Sequence, residues 1–191
     1  SWCQVALDLG SLVMVLSGEE WTADEQKVRH YLRRADEFPH RTEGEAVLLD
    51  FSELMLDEAR RRFASEDRIE LVAHDLAERL PSFARFDAVV SSFAIHHLEH
   101  ERKRSLYGEV FDLLKPGGIF ANFEHVASPT IRLHMAFFAA IEEPIENEDS
   151  SDRLLDVETQ LRWFRELGFD DVDCYWKWRE MALLIGVKPG G

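Results

Sequence analysis

The chain has 191 residues, enough for one domain with a sizeable core and too few for two of ordinary size. Hydrophobic residues make up 46% and charged residues 31%, a globular balance that excludes wholesale disorder. With 22 Lys+Arg against 37 Asp+Glu the formal net charge is -15. Such a surface argues against nucleic acid or an anionic membrane as main partner, since both are held by neutralising phosphates with Lys and Arg.

The dense basic groups, residues 60–62 and 102–104, fall on helical stretches and are interleaved with acids, which reads as a solvated face. Cys3 and Cys174 make neither a disulfide framework nor a CxxC metal spacing. The apolar run at residues 9–18 is shorter than a membrane span and has no cationic leader, so a cytoplasmic protein is expected.

In chain order, β-rich runs alternate with helical ones, the pattern of an α/β fold with a mainly parallel, Rossmann-like sheet. A first strand is expected at residues 4–9 and a helix at 22–36, opened by the capping box of Thr22 and Glu25. A strand at 46–50 leads to a helix capped by Ser52, with Met55, Ala59 and Phe63 spaced by four. Strands at 69–73 and 86–91 follow, then a helix from Glu101 to Leu114 stopped by Lys115-Pro116-Gly117-Gly118. A strand at 118–124 precedes an acidic stretch, residues 142–152, with six acids and one proline. It reads as an exposed loop, either a flap over a site or a solvated linker. Asp156 opens a last helix that Gly168 closes, and strands at 172–175 and 181–187 complete a single domain spanning residues 1–191.

Three β-like runs end in an acid, at Asp8, Asp50 and Asp75. In a parallel α/β sheet ligands bind beyond the carboxyl ends of the strands, where strand order reverses. Carboxylates there accept hydrogen bonds from ribose hydroxyls and an adenine amine, so the pattern points to a nucleoside.

The ordered runs Asp8-Leu9-Gly10, Leu49-Asp50-Phe51-Ser52 with Met55-Leu56, and His74-Asp75-Leu76 resemble those of the class I S-adenosylmethionine-dependent methyltransferases. So do Phe86-Asp87-Ala88-Val89-Val90-Ser91-Ser92-Phe93-Ala94-Ile95-His96-His97-Leu98 and Leu113-Leu114-Lys115-Pro116-Gly117-Gly118. The resemblance covers residues 47–126 and extends to a closing antiparallel hairpin after Leu167-Gly168-Phe169, while residues 1–46 fit poorly. It implies S-adenosylmethionine as cofactor and a small-molecule methyl acceptor. Asp8 and Gly10 would belong to the cofactor loop. Asp50 would hold the ribose, with Phe51 and Met55 by the adenine. Asp75 would take the adenine amine and Leu76 the ring edge, and Ser92 and Phe93 would border the methionine portion.

The front of the chain departs from the family pattern. Leu12 and Met14 stand where a glycine-rich loop belongs, and Asp8 lies 42 residues before Asp50, where about 20 is usual. Two readings follow: residues 4–9 are a degenerate first strand, or the glycine-loop strand is missing, 22–49 form a helical cap, and residues 1–20 are an extension that either fills the gap or does not. The first is preferred, because a parallel sheet without its central strand leaves a buried, unpaired edge.

His97 is placed by the resemblance at the acceptor mouth as a candidate base, against the plainer reading of a helix-entry histidine bonded to backbone. Glu124, ending a strand beside His125, is a second catalytic candidate. No metal is expected of His96, His97, Glu99 and His100, because neighbouring histidines on one loop should diverge and no partner has zinc-motif spacing. The aromatics Tyr175, Trp176 and Trp178, with Trp163 and Phe164, read as core packing.

The expected activity is methyl transfer to a small molecule, the acceptor and the oligomeric state being open. The alternative is a methyltransferase-like fold that has lost its cofactor and serves as an interaction module. A nicotinamide-dependent oxidoreductase shares the fold and fits less well, since the same glycine loop is absent.

Overall fold

The structure, a computed structural model, describes residues 11–16, 45–65 and 67–191, the first of these as backbone alone. The strand expected at 4–9 and the helix at 22–36 lie outside the described residues.

One seven-stranded sheet runs in the order β3-β2-β1-β4-β5-β7-β6. Its strands are β1 (Ser11–Leu16), β2 (Glu45–Asp50), β3 (Ile69–Ala73), β4 (Phe86–Ser92), β5 (Leu114–His125), β6 (Asp170–Trp178) and β7 (Met181–Val187). The first five pair in parallel, and β7 inserts antiparallel between β5 and β6. Strand order reverses between β1 and β4, which makes the carboxyl edge at that crevice the expected ligand edge.

The central strand corrects the preferred reading of the front and answers the point the alternative left open. It is present, but at Ser11–Leu16, with Val13 paired to Val47 on one side and to Val89 on the other. Leu12 and Met14 are therefore strand residues rather than occupants of a turn. The physical reason is that Leu12-Val13-Met14-Val15-Leu16 is an unbroken apolar run, which suits a strand covered on both faces better than a run holding Gln4 and Asp8.

Among the described residues four helices flank the sheet: α1 (Glu53–Arg62), α2 (His100–Leu113), α3 (Ile131–Ala140) and α4 (Val157–Leu167). Ser52, Thr130 and Asp156 cap α1, α3 and α4 by accepting the N–H of Met55, Leu133 and Thr159. Gly168 closes α4 at φ 100°, a left-handed position open to glycine. Near the start of β5 a Cβ on Gly118 would sit 2.8 Å from the Lys115 carbonyl oxygen, so only glycine fits there. The core lies between β4–β5–β7 and the α2–α4 pair. Phe120 stacks on Phe164 at 5.0 Å, Tyr107 meets Phe164 edge-on at 4.9 Å, and Tyr107 Oη donates to Gln160 Oε1 at 2.6 Å.

Two readings of side chains need correction. Arg102 and Lys103 are not on a solvated face. Arg102 forks onto both Glu109 oxygens at 2.7 and 2.9 Å and onto the Leu76 and Glu78 carbonyls, clamping the loop after β3, while Lys103 is 2% exposed. Arg104, like Arg60 and Arg61, does face solvent beside acids. Phe164 is core, but Tyr175, Trp176 and Trp178 are exposed. They sit on edge strand β6, where register shifts against β7 break the alternation that would have turned them inward. Among the described residues no helix is long and apolar enough to cross a membrane.

Candidate active site

The carboxyl ends of β2, β3, β4 and β5 share one edge, and because β7 runs the other way its entry residue Glu180 arrives there too. On the β2 side, Asp50 is 7% exposed. Its Oδ1 accepts the Ser52 N–H at 2.7 Å, and its Oδ2 is buried with no hydrogen-bond partner among the described residues. Burial pushes this carboxyl above its ordinary value, against the pull of the Ser52 and Phe51 N–H groups. An acceptor in that state lacks donors, and paired ribose hydroxyls are donors of the right kind. Beside it Phe51 is exposed and Met55 half-buried, the two faces an adenine would need.

At the end of β3, Asp75 is exposed and spends Oδ1 on the Ala77 N–H at 2.8 Å, while Leu76 is buried. After β4, Ser92 is half-buried and Phe93 takes φ 50°, a left-handed conformation costly for an aromatic residue. The Phe93 N–H donates to the Phe123 carbonyl at 2.9 Å, so the bend is fixed by β5. Asp8 and Gly10 lie outside the described residues. The rest of the expected cofactor set is brought to one edge of the sheet.

The β4–β5 side is a different kind of site. His96 and His97 do not diverge; their rings lie 3.9 Å apart, tilted by 45°. Glu124 is 1% exposed, and its Oε1 accepts His96 Nδ1 at 2.7 Å and the His125 N–H at 3.1 Å. It is sealed from an acceptor and can act only through His96. His97 is exposed, with Nδ1 at 3.0 Å from Ser151 Oγ and 3.2 Å from Asp152 Oδ1.

Asp152, the last residue of the acidic stretch, was not singled out in the sequence. It folds back so that Oδ1 also lies 3.5 Å from His96 Nε2 and Oδ2 3.4 Å from His125 Nδ1. Its neighbour fastens it: the Arg153 N–H donates to the His96 carbonyl at 3.0 Å, and buried Lys103 donates to the carbonyls of both His96 and Arg153. From His125 the network continues to Glu180 at 3.1 Å and on to His134 at 3.0 Å. No spacing in the sequence joins residues 96, 125, 134, 152 and 180; the sheet alone brings them together.

The electrostatics follow from this packing. Burial pushes Asp152 up, but the imidazoles of His125 and His97 outweigh it and hold the carboxyl well below the usual range. Burial pulls His125 down, and Asp152 with Glu180 reverses that to about 9. The Asp152 contact raises His97. Burial lowers Lys103 to about 8.

Comparison with known proteins agrees with this architecture. A family model described as a methyltransferase domain matches residues 30–118, so the match starts ahead of the run that carried the resemblance. The demethylmenaquinone methyltransferase of Clavibacter sepedonicus is 33% identical over 165 residues, 76% of this chain and 65% of its own. The carboxy-S-adenosyl-L-methionine synthase of Desulforapulum autotrophicum is 28% identical over 161 residues, 75% of this chain and 64% of its own. The chain thus spans slightly under two thirds of the length of these relatives. Among solved structures, the methyltransferase SibL in its apo form superposes with a TM-score of 0.64 at 19% identity, covering 98% of this chain and 56% of that one. An O-methyltransferase family protein from Burkholderia thailandensis gives 0.66 at 16% identity, covering 100% of this chain and 57% of that one. At such identities these two speak for the fold. Strand order, the ordered motifs, the matched family model and the 33%-identical relative all point to the class I S-adenosylmethionine-dependent methyltransferases.

Proposed function

We propose that this chain binds S-adenosylmethionine along the β2–β4 edge and transfers its methyl group to a small molecule presented at His97. The cofactor supplies, when bound, a sulfonium methyl already activated for transfer, so the protein's task is alignment and exclusion of water. Asp50 binds the ribose through the oxygen that has no partner in the fold, and Asp75 and Leu76 receive the adenine. Phe51 and Met55 cover its faces. Ser92 and Phe93 border the reacting end. His97, exposed and tied to Asp152, takes the proton of a hydroxyl or ammonium acceptor. Glu124 is a positioning residue that fixes the His96 ring beside it.

The observation that carries the reading is the buried, unpartnered Oδ2 of Asp50 at the carboxyl end of β2. The test is calorimetric titration with S-adenosylhomocysteine. The wild-type chain should bind in the micromolar range. Asp50→Asn should lose about 10- to 100-fold in affinity, as expected for losing charge-assisted bonds to two hydroxyls, with its circular dichroism unchanged. A folded wild-type chain that fails to bind at millimolar ligand would favour the non-catalytic interaction module instead.

A further inference from the structure

His96 Nε2, His97 Nδ1 and one Asp152 carboxylate oxygen all lie within 4.8 Å of one another. We propose that these three atoms form a binding site for a divalent transition-metal ion, with Glu124 as the outer partner that orients His96.

Three observations converge. First, the separations from Asp152 Oδ1, 3.2 Å to His97 Nδ1 and 3.5 Å to His96 Nε2, bracket the edge of a tetrahedron of ligands around zinc, about 3.3 Å for bonds near 2.0 Å. Yet Oδ1 is buried and makes no hydrogen bond among the described residues. The spacing suits ligands around a common ion better than donors meeting an acceptor.

Second, the tautomer leaves a lone pair for an ion. Glu124 already accepts the His125 N–H on Oε1, so His96 Nδ1 is the donor in their 2.7 Å contact. The remaining lone pair on His96 Nε2 then faces a carboxylate oxygen across 3.5 Å. Two electron-rich atoms at that separation suit a shared metal ion. A carboxylate that holds the far nitrogen of a ligating histidine is the usual outer support of such sites.

Third, the site is closed behind and open in front. The side chains of His96 and Asp152 are 8% and 9% exposed, that of His97 38%. Three protein ligands with a solvent-facing side leave positions for water or for an oxygen-bearing acceptor. This rests on the reading above only for the acceptor's role. With an ion bound, His97 would serve as a ligand in place of the base role given above, and the ion would lower the pKa of an acceptor hydroxyl so that its proton could pass to solvent water.

The test is made on the full chain after chelator dialysis, by calorimetric titration with Zn²⁺ alone. One ion per chain should bind, with His97→Ala and Asp152→Asn each weakening it at least tenfold, and Glu124→Gln about tenfold. His134→Ala, at the far end of the same network, should leave the affinity unchanged. Absence of saturable binding, or binding that survives both His97→Ala and Asp152→Asn, overturns the proposal. If Asp152→Asn fails to fold by circular dichroism, the exposed His97 variant decides. Zn²⁺ and S-adenosylhomocysteine are titrated separately, so failure of the metal site leaves the cofactor reading standing, and the reverse.

Discussion

The two halves of the ligand edge are built on opposite principles. On the β2–β3 side the polar groups are few and two are left short among the described residues: Asp50 Oδ2 and His74 Nε2 are buried without a hydrogen-bond partner, and a large apolar residue, Phe51, stands 71% exposed. On the β5–β7 side the polar groups are many and most face one another, from Glu124 through His96, Asp152, His125 and Glu180 to His134, although Glu124 Oε2 and the Asn122 amide are also buried without a hydrogen-bond partner among the described residues. On the reading proposed above, the first half is completed by the cofactor. The second is largely completed by the chain itself and derives rigidity from it, apart from the separation at His96, His97 and Asp152. A fold that keeps an unpaired carboxylate gives up stability to hold a binding site, whereas a closed network contributes stability.

The largest effect should come from opening the closed half. Glu180 is fully buried and contacts His125 at 3.1 Å and His134 at 3.0 Å, so Glu180→Ala strands two histidines that rely on it. A loss of about 3 kcal/mol in urea unfolding at pH 7 is expected. A loss below about 0.5 kcal/mol would show that the network contributes little, and the contrast between the halves would collapse.

A smaller effect is expected at the clamp that connects the halves. Burial pushes the Glu109 carboxyl up, but the Arg102 fork and the Leu80 N–H outweigh it and hold it below its ordinary value. A depressed carboxylate stabilises the fold above its unfolded pKa and loses that contribution as pH falls through its folded pKa. Glu109→Gln should therefore cost about 1–2 kcal/mol at pH 7 and progressively less as pH drops below about 4. Equal costs at pH 7 and pH 3 would contradict this.

The smallest effect carries the opposite sign. Asp50 is raised by burial, so its charged form opposes folding at neutral pH, above its unfolded pKa. Asp50→Asn keeps an acceptor for the Ser52 N–H and removes that penalty, so stability should rise by up to about 1 kcal/mol while cofactor affinity falls. A drop in melting temperature would mean that Asp50 serves the fold rather than a ligand.

Much of the scaffold was legible because its signals are local. Residues 69–73 and 181–187 have the strand bounds expected of them, and Gly168 and Asp156 bound α4 as capping chemistry dictates. The first strand was misplaced because Asp8-Leu9-Gly10 resembled a motif, while the apolar run at Ser11–Leu16 carried the better strand signal. Helix α3 went unmarked, although Thr130 and the run Ile131 to Ala140 announce it in retrospect. That Asp50 and Asp75 would meet at one edge of the sheet could be foreseen, since strand-terminal acids are read one strand at a time. The partners of His97 could not, because Asp152 lies 55 residues on, at the end of a loop that reads equally as a flap over a site or a solvated linker. Arg102 and Lys103 were hidden for the same reason: residues 76, 78, 96 and 153, whose carbonyls they bind, are adjacent only once the sheet has formed.

The central claim, that the cofactor occupies the half left short of partners, is tested most directly by mapping backbone amide shifts while S-adenosylhomocysteine is added. The account predicts the largest changes at Phe51, Ser52, Leu76, Ala77 and Phe93, with β6 nearly silent. Changes centred on β6 and β7, or none at saturating ligand, would contradict it.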